Sequence, residues 1–284
     1  MEEAIKKADV LIEALPYIRQ FKDKVIVIKY GGSILGEEKI RRGVLEDIVF
    51  MHFMGLRPVL VHGGGPNISD RIRSSGRKSD FIDGMRVTDE ETLVVVEEEL
   101  KKLNDIIVRE IAELGAEATG LNGKDKNLIQ TEKKKAKVDL GMVGHVTGVN
   151  AQGIYDELTA DRIPVVLPMG RGPDKKTYNV NADEAAASIA SGLKAEKLVL
   201  LTNVKGIMRN ADDPNSFISH LTKELADGMI ADKVIQTGMI PKVKACISAL
   251  EKGVKKTHMV DACIPHALLL EIFTDKGIGT EIVL

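Results

Sequence analysis

The chain carries only two cysteines, Cys246 and Cys263, and no Cys-x-x-Cys spacing. That excludes a disulfide framework and a cysteine-rich zinc site, and it suits a reducing, cytoplasmic setting. Its six histidines are scattered, with no His-x-x-x-His pair, which argues against a zinc hydrolase. No apolar run is long enough to span a bilayer, and the charged first seven residues lack a signal-peptide core. An excess of one charge is also missing. Forty basic against 42 acidic residues leave a formal net charge of −2, so nucleic acid and anionic membrane are not expected partners. The basic run at 133–135 reads as a solvated loop or strand edge. What is there is a 284-residue chain, 44% hydrophobic and 29% charged, with room for one large domain or two lobes sharing a core.

Residues 3–21 have the helical spacing of an amphipathic segment, through Ile5, Ala8, Leu11, Ile12, Leu15 and Ile18. Pro16 inside it predicts a kink. Strand and helix patterns then alternate. Strands are predicted at 25–28, 58–61, 165–167 and 198–201. Helices are predicted at 38–54, 66–75, 88–114 and 183–191, the third opened by a capping box of Thr88 with Glu91. Short apolar runs followed by glycine and then helix predict an α/β fold with a mostly parallel sheet covered on both faces. Segments 127–137 and 143–152 are expected as antiparallel hairpins in a smaller, more exposed sheet. A lobe boundary is expected near 191–195.

Two glycine loops carry the functional signal. Lys29-Tyr30-Gly31-Gly32-Ser33 follows the first strand, and His62-Gly63-Gly64-Gly65-Pro66 joins the second strand to a helix. Ligands of open α/β sheets sit beyond the carboxyl ends of strands. Glycines there let backbone amides approach an anion, and Pro66 suits the first helical turn, whose amides add positive potential. One such loop would be only a tight turn; two on neighbouring strands, one beginning with Lys29, indicate an anion site. Neither loop is a nucleotide P-loop, and there is no Gly-x-Gly-x-x-Gly fingerprint. A carboxylate acceptor is already ionised near neutral pH and needs no base, so His62 is expected to be a structural hydrogen-bonder.

The chain resembles the acetylglutamate kinase branch of the amino-acid kinase family. The matching segments are I-K-Y-G-G-S (28–33), V-H-G-G-G-P (61–66), G-M-R-V-T (84–88), V-G-H-V-T-G-V (143–149), P-V-V-L-P-M-G (164–170), N-V-N-A-D (179–183) and G-M-I-P-K-V (238–243), in family order. The resemblance implies a three-layer α/β sandwich and divides the chain into an N-terminal interaction helix (1–23), an acetylglutamate-binding and dimerisation lobe (24–193) and an ATP-binding lobe (194–284). It implies phosphorylation of the γ-carboxylate of N-acetyl-L-glutamate by ATP in arginine biosynthesis, with Mg²⁺ held mainly by phosphate oxygens and water rather than by protein ligands. Lys29 and Lys242 would offset charge on the moving phosphoryl group, Asp183 would hold both lysines, and the Gly32 and Gly64 amides would complete the cradle. Arg86, Asn179, Gly64 and Gly65 would bind acetylglutamate, while Asn181 is expected to cap the helix carrying Asp183.

The segments E-A-L-P-Y-I-R (13–19) and H-A-L-L-L-E-I-F-T-D-K-G-I-G-T (266–280) resemble arginine-inhibited members, in which the extra helix interlaces dimers into a hexamer. The implied arginine site comprises His258, Glu271, Gly277 and Tyr17. Asn203 stands where the family commonly has Asp, close to the nucleotide. Ala262-Cys263 replaces a more usual Gly-containing turn. The rival expectations are a kinase for another amino acid, N-blocked or not, and a non-catalytic arginine sensor.

Overall fold

The computed structural model describes the whole chain except residues 32, 83, 211, 212, 236, 237, 275 and 276; for residues 3, 4, 6–8, 10, 11, 33, 34 and 214 only the backbone is considered. Along the chain, α1 (Glu2–Phe21) leads into β1 (Val25–Tyr30), α2 (Glu38–Phe53), β2 (Arg57–His62) and α3 (Gly65–Ser74). The two-residue strands β3 (Phe81–Ile82) and β4 (Met85–Arg86) precede α4 (Glu90–Glu113) and β5 (Ala118–Asn122). Then come β6 (Ile129–Lys133), β7 (Val143–Val149), α5 (Gln152–Thr159), β8 (Ile163–Leu167), β9 (Met169–Arg171), β10 (Thr177–Val180) and α6 (Ala182–Gly192). The remainder holds β11 (Lys197–Thr202), β12 (Ile207–Met208), β13 (Phe217–Ile218), β14 (His220–Thr222), α7 (Lys223–Ala231), α8 (Ile240–Glu251), β15 (Lys256–Asp261), α9 (Ala267–Ile272) and β16 (Thr280–Val283).

Eight strands form the central sheet in the order β14-β16-β15-β11-β1-β2-β8-β5. From β15 to β5 every neighbouring pair is parallel; β16 runs antiparallel to β15, and β14 parallel to β16. Parallel strands are covered on both faces, which is why β1, β2, β8 and β11 are buried almost throughout. Because side chains alternate along a strand, Ile26, Ile28 and Tyr30 pack with α2, α4 and α9, whereas Val25 and Val27 pack with α5, α6, α7 and α8. The result is a three-layer α/β/α sandwich. Lys29 takes the next position on the Val25–Val27 side and so faces α6 and α8. His62 continues the opposite side of β2, after Leu60.

The segments expected as two hairpins instead supply one strand each. β6 and β7 pair antiparallel with one another, with a register shift between Gln130 and Thr131. β9 and β10 complete a small closed sheet. Glu184 on α6 ties this sheet down: it receives the Val146 N–H at 2.8 Å, pairs with Lys134 at 2.8 Å and lies 2.6 Å from His145 Nδ1.

The expected capping box at Thr88 is corrected. The cap of α4 is Asp89, whose carboxylate accepts from the Thr92 N–H at 2.7 Å. Thr88 is not available for capping. Its hydroxyl donates to the Arg86 carbonyl at 2.8 Å and accepts from Asn179 at 3.2 Å. Asn181 caps α6 as expected, accepting from the amides of Asp183 and Glu184. At the N-terminus α1 is helical on both sides of Pro16, with Ile12 and Leu15 exposed.

Candidate active site

The carboxyl end of β1, the start of α6 and the start of α8 converge. Lys29 is the penultimate residue of β1, Asp183 sits in the first turn of α6, and Lys242 in the first turn of α8. Asp183 Oδ1 lies 2.9 Å from Lys29 Nζ, and Asp183 Oδ2 accepts from Lys242 Nζ at 2.8 Å. One carboxylate therefore bridges two ammonium groups from opposite ends of the sequence. Burial alone would raise the Asp183 pKa, but the two lysines outweigh it and bring the carboxyl down to about 2. The α6 N-terminus further favours negative charge there. The Lys29 pKa is also lowered, here against its charged form. Burial lowers its pKa, Asp183 opposes that, and Lys242 adds repulsion. The trio holds a net positive charge that is only partly neutralised from within, which is what an incoming phosphate requires.

Gly31 makes room for this lysine, since a Cβ at Gly31 would stand 3.0 Å from Lys29 Nζ. Gly32 lies outside the described residues. Gly64 caps α3 at φ −166°, and Leu100 of α4 presses against it so closely that a Cβ would meet Leu100 Cδ2 at 2.9 Å. The first amides of α3 have no acceptor within their own helix. They border a cleft of about 200 Å³ whose lining includes Lys29, Gly64, Gly65, Arg86, Asn179 and Asp183. Lys242 joins the cluster through Asp183 rather than by lining this cleft.

Arg86 closes the cleft's other side. It is buried, lies 4.6 Å over the Phe81 ring, and donates to the Gly65 carbonyl at 2.9 Å, to Ser69 Oγ at 2.8 Å and to Ser79 Oγ. Three of five guanidinium N–H groups are thereby engaged, leaving two outside these contacts. One N–H of Asn179 Nδ2 donates to Thr88 Oγ1 at 3.2 Å, and its second N–H and its carbonyl oxygen lie outside this contact. His62 is fully buried. Its Nδ1 lies 3.0 Å from the Gly63 carbonyl and its Nε2 3.0 Å from Asn104 Nδ2, and burial pushes its pKa down to about 4. A base would need a proton to remove and access to it; His62 has neither.

A second cavity, of about 300 Å³, collects Tyr17, His258, Glu271 and Gly277 with Lys197, Lys256, Glu196 and Glu281. His258 Nδ1 lies 2.6 Å from Glu271 Oε1, and Glu271 Oε2 accepts from the amides of Ile278 and Gly279, each at 2.9 Å. Gly277 has φ +57°, and any Cβ there would meet the Glu271 carboxylate at 2.8 Å.

Sequence reasoning missed Ser69, Ser79 and Phe81 around Arg86, and Asn104 behind the second glycine loop. The serines give no signal of their own. Asn104 does, as a polar residue interrupting the apolar stripe Leu100, Leu103, Ile107, Ile111 of α4.

Residues 24–261 match the Amino acid kinase family. Relatives include "Acetylglutamate kinase" of Petrotoga mobilis, 50% identical over 281 residues, covering 99% of this chain and 94% of that protein. "Acetylglutamate kinase" of Caldanaerobacter subterraneus subsp. tengcongensis is 50% identical over 283 residues, with the same coverages. Among solved structures, N-acetylglutamate synthase from Neisseria gonorrhoeae, complexed with coenzyme A and N-acetyl-glutamate, superposes with a TM-score of 0.86 at 26% identity over 98% of this chain. This chain spans 63% of that longer synthase, which has also been solved with L-arginine. Carbamate kinase from Giardia lamblia shares the fold, with a TM-score of 0.66 at 17% identity, covering 92% of this chain and 98% of its own. By sequence over nearly its whole length and by fold, the chain belongs to the acetylglutamate kinases of the amino acid kinase family.

Proposed function

We propose that this protein transfers the γ-phosphoryl group of ATP to the side-chain carboxylate of N-acetyl-L-glutamate, giving N-acetyl-L-glutamyl 5-phosphate for arginine biosynthesis. The carrying observation is the carboxylate-bridged lysine pair, of which Lys29 and the bridging Asp183 line a small cleft together with Arg86. Lys29 lies on the acceptor side and offsets charge on the equatorial oxygens of the moving group. Lys242 lies on the nucleotide side and offsets charge on the leaving oxygen. Asp183 fixes both ammonium groups before substrates arrive, so little reorganisation is needed at the moment of transfer. With a pKa near 2 and both oxygens engaged, it is no proton acceptor, and an ionised acceptor carboxylate requires none. Among the described residues no three His, Cys, Asp or Glu side chains converge on a metal position. Mg²⁺ would accompany ATP on phosphate oxygens and water, adding electrostatic relief on the phosphates. Residues 24–193 supply the acceptor side and dimer contacts, residues 194–284 the nucleotide side. Asn203 is exposed after β11, and by the family resemblance it would stand near the nucleotide. A cytoplasmic, homo-oligomeric enzyme fits this role.

The test is hydroxylamine trapping of the acyl phosphate from acetylglutamate and ATP. Trapping with other N-blocked amino acids but not with acetylglutamate would reassign the acceptor, and absence of ADP release would leave a non-catalytic sensor. Arg86 is assigned to the substrate's α-carboxylate through its two remaining N–H groups. Arg86→Ala is expected to raise the KM for acetylglutamate about 10- to 100-fold, the loss of a charge-assisted hydrogen-bonded pair, with a smaller effect on kcat. An unchanged KM removes Arg86 from the pocket.

Feedback inhibition by arginine is part of the proposal. The second cavity presents Glu196, Glu271 and Glu281 beside Lys197 and Lys256, a mixed lining that suits a zwitterion with a guanidinium. Tyr17, Gln20 and Phe21 of α1 form one wall, so occupancy would be sensed by that helix. The exposed Ile12 and Leu15 then serve assembly of dimers into a hexamer. Deletion of residues 1–22 is expected to yield a smaller oligomer by sedimentation, active but unresponsive to arginine. A truncated form still inhibited at wild-type concentrations would exclude the helix from the switch.

A further inference from the structure

The polar group buried most deeply behind the glycine loops has no part in the chemistry above. His62 ends β2, and its ring lies on the α4 side of the sheet, away from Lys29 and Asp183. Asn104 Nδ2 donates to the Val165 carbonyl at 2.9 Å and also faces His62 Nε2 at 3.0 Å. The shared carbonyl identifies that atom as the amide nitrogen, which can only donate. Nε2 is then the acceptor, and Nδ1 carries the proton and donates it to the Gly63 carbonyl at 3.0 Å. The pair is closely housed, because a Cβ at Gly120 of β5 would collide with Asn104 Oδ1.

Across a planar trans peptide the C=O and N–H point in opposite directions. A Gly63 carbonyl drawn toward His62 turns the Gly64 N–H to the other side, where the cleft and Lys29 lie. Gly63 and Gly64 have no side chains to resist rotation of this peptide; the Gly63 N–H donates to the Tyr30 carbonyl and the Gly64 carbonyl accepts from the Ile68 N–H, which hold the flanking peptides, and the His62 ring holds the Gly63 carbonyl itself. Leu100, one helical turn before Asn104, braces Gly64 from the same helix. We infer that His62 is a positioning residue for phosphoryl transfer: by holding the Gly63 carbonyl, with Asn104 fixing its tautomer, it aims the Gly64 N–H into the cleft beside Lys29. The inference rests on the proposed phosphoryl transfer and adds what orients its backbone donor. Burial keeps the ring neutral, with one donor and one acceptor, throughout the working pH range.

The test compares His62→Leu, which removes the donor, with His62→Asn, whose amide nitrogen stands where Nδ1 stood. His62→Leu is expected to lower kcat 10- to 100-fold with both KM values within about threefold of wild type, and His62→Asn to recover most of the loss. A purely structural role would lower the melting temperature of both variants and leave kcat per folded molecule unchanged. A second readout needs no acceptor. MgADP with aluminium fluoride, a mimic of the transferring group, should bind His62→Leu at least tenfold more weakly than wild type, while MgADP alone binds equally. If wild type makes no acyl phosphate from acetylglutamate, the substrate reading fails and the fluoride comparison still decides the role of His62. Should His62→Leu not fold, Asn104→Ala carries the same comparison, with kcat expected to fall at least fivefold. Retention of kcat and of fluoride-complex affinity within twofold in folded variants overturns the inference.

Discussion

Lys29→Met is expected to lower kcat on the order of 10²- to 10³-fold, with KM for ATP and acetylglutamate changed little. This is the magnitude seen when one preorganised donor to a developing charge is removed. Methionine keeps the length and apolar stem of lysine and leaves Asp183 paired with Lys242 at 2.8 Å, so the fold should survive. The loss therefore reports on charge at one atom. Steady-state kinetics on both substrates, with circular dichroism as the control for folding, check it. A kcat within tenfold of wild type in a folded Lys29→Met would remove this lysine from the transition state.

Asp183→Ala should be the most destabilising single change at the site, by about 3 to 5 kcal/mol. Removing one member of a buried ionic cluster leaves the remaining charges uncompensated. Here two ammonium groups would face each other with nothing between them, and Lys29 is only 5% exposed. Denaturant titration near neutral pH measures the loss. A pH series supplies a second check. The Asp183 carboxyl has a folded pKa of about 2, below its ordinary 3.8. Its contribution is fully present above 3.8 and disappears as pH falls toward 2. Wild type and Asp183→Ala should thus converge in stability on acidification. A wild-type-like denaturation midpoint for Asp183→Ala at pH 7 would show that the lysines are not held by this carboxylate.

The alternation of short apolar runs with glycine and helix was enough to predict a parallel sheet, because strands buried on both faces have no polar face to disguise them. Elsewhere the pattern was silent for a physical reason. β5 reads Ala-Thr-Gly-Leu-Asn, with a glycine and an asparagine that would suit a loop, and becomes a strand through its five-residue register with β8. β15 reads Lys-Thr-His-Met-Val-Asp, and its polar ends conceal a nearly buried strand between β11 and β16. The α4 cap was misread at Thr88 because threonine and aspartate are both good caps. The Thr88 hydroxyl is engaged instead by the Arg86 carbonyl and by Asn179, 91 positions away. Candidate site residues were legible where a rare pattern marked them, as with lysine before paired glycines. They were illegible where common residues gained their roles through distant partners, as with Ser69, Ser79 and Asn104.

Arg86 belongs to a two-residue strand paired only with its equally short partner, outside the eight-stranded sheet that carries Lys29. If Arg86 grips the acceptor as proposed, acceptor choice and phosphoryl chemistry rest on different strands that meet at the second glycine loop, where Arg86 donates to the Gly65 carbonyl at 2.9 Å. Grafting a foreign segment across positions 79–87 offers a route to kinases for new carboxylates that leaves the lysine machinery intact.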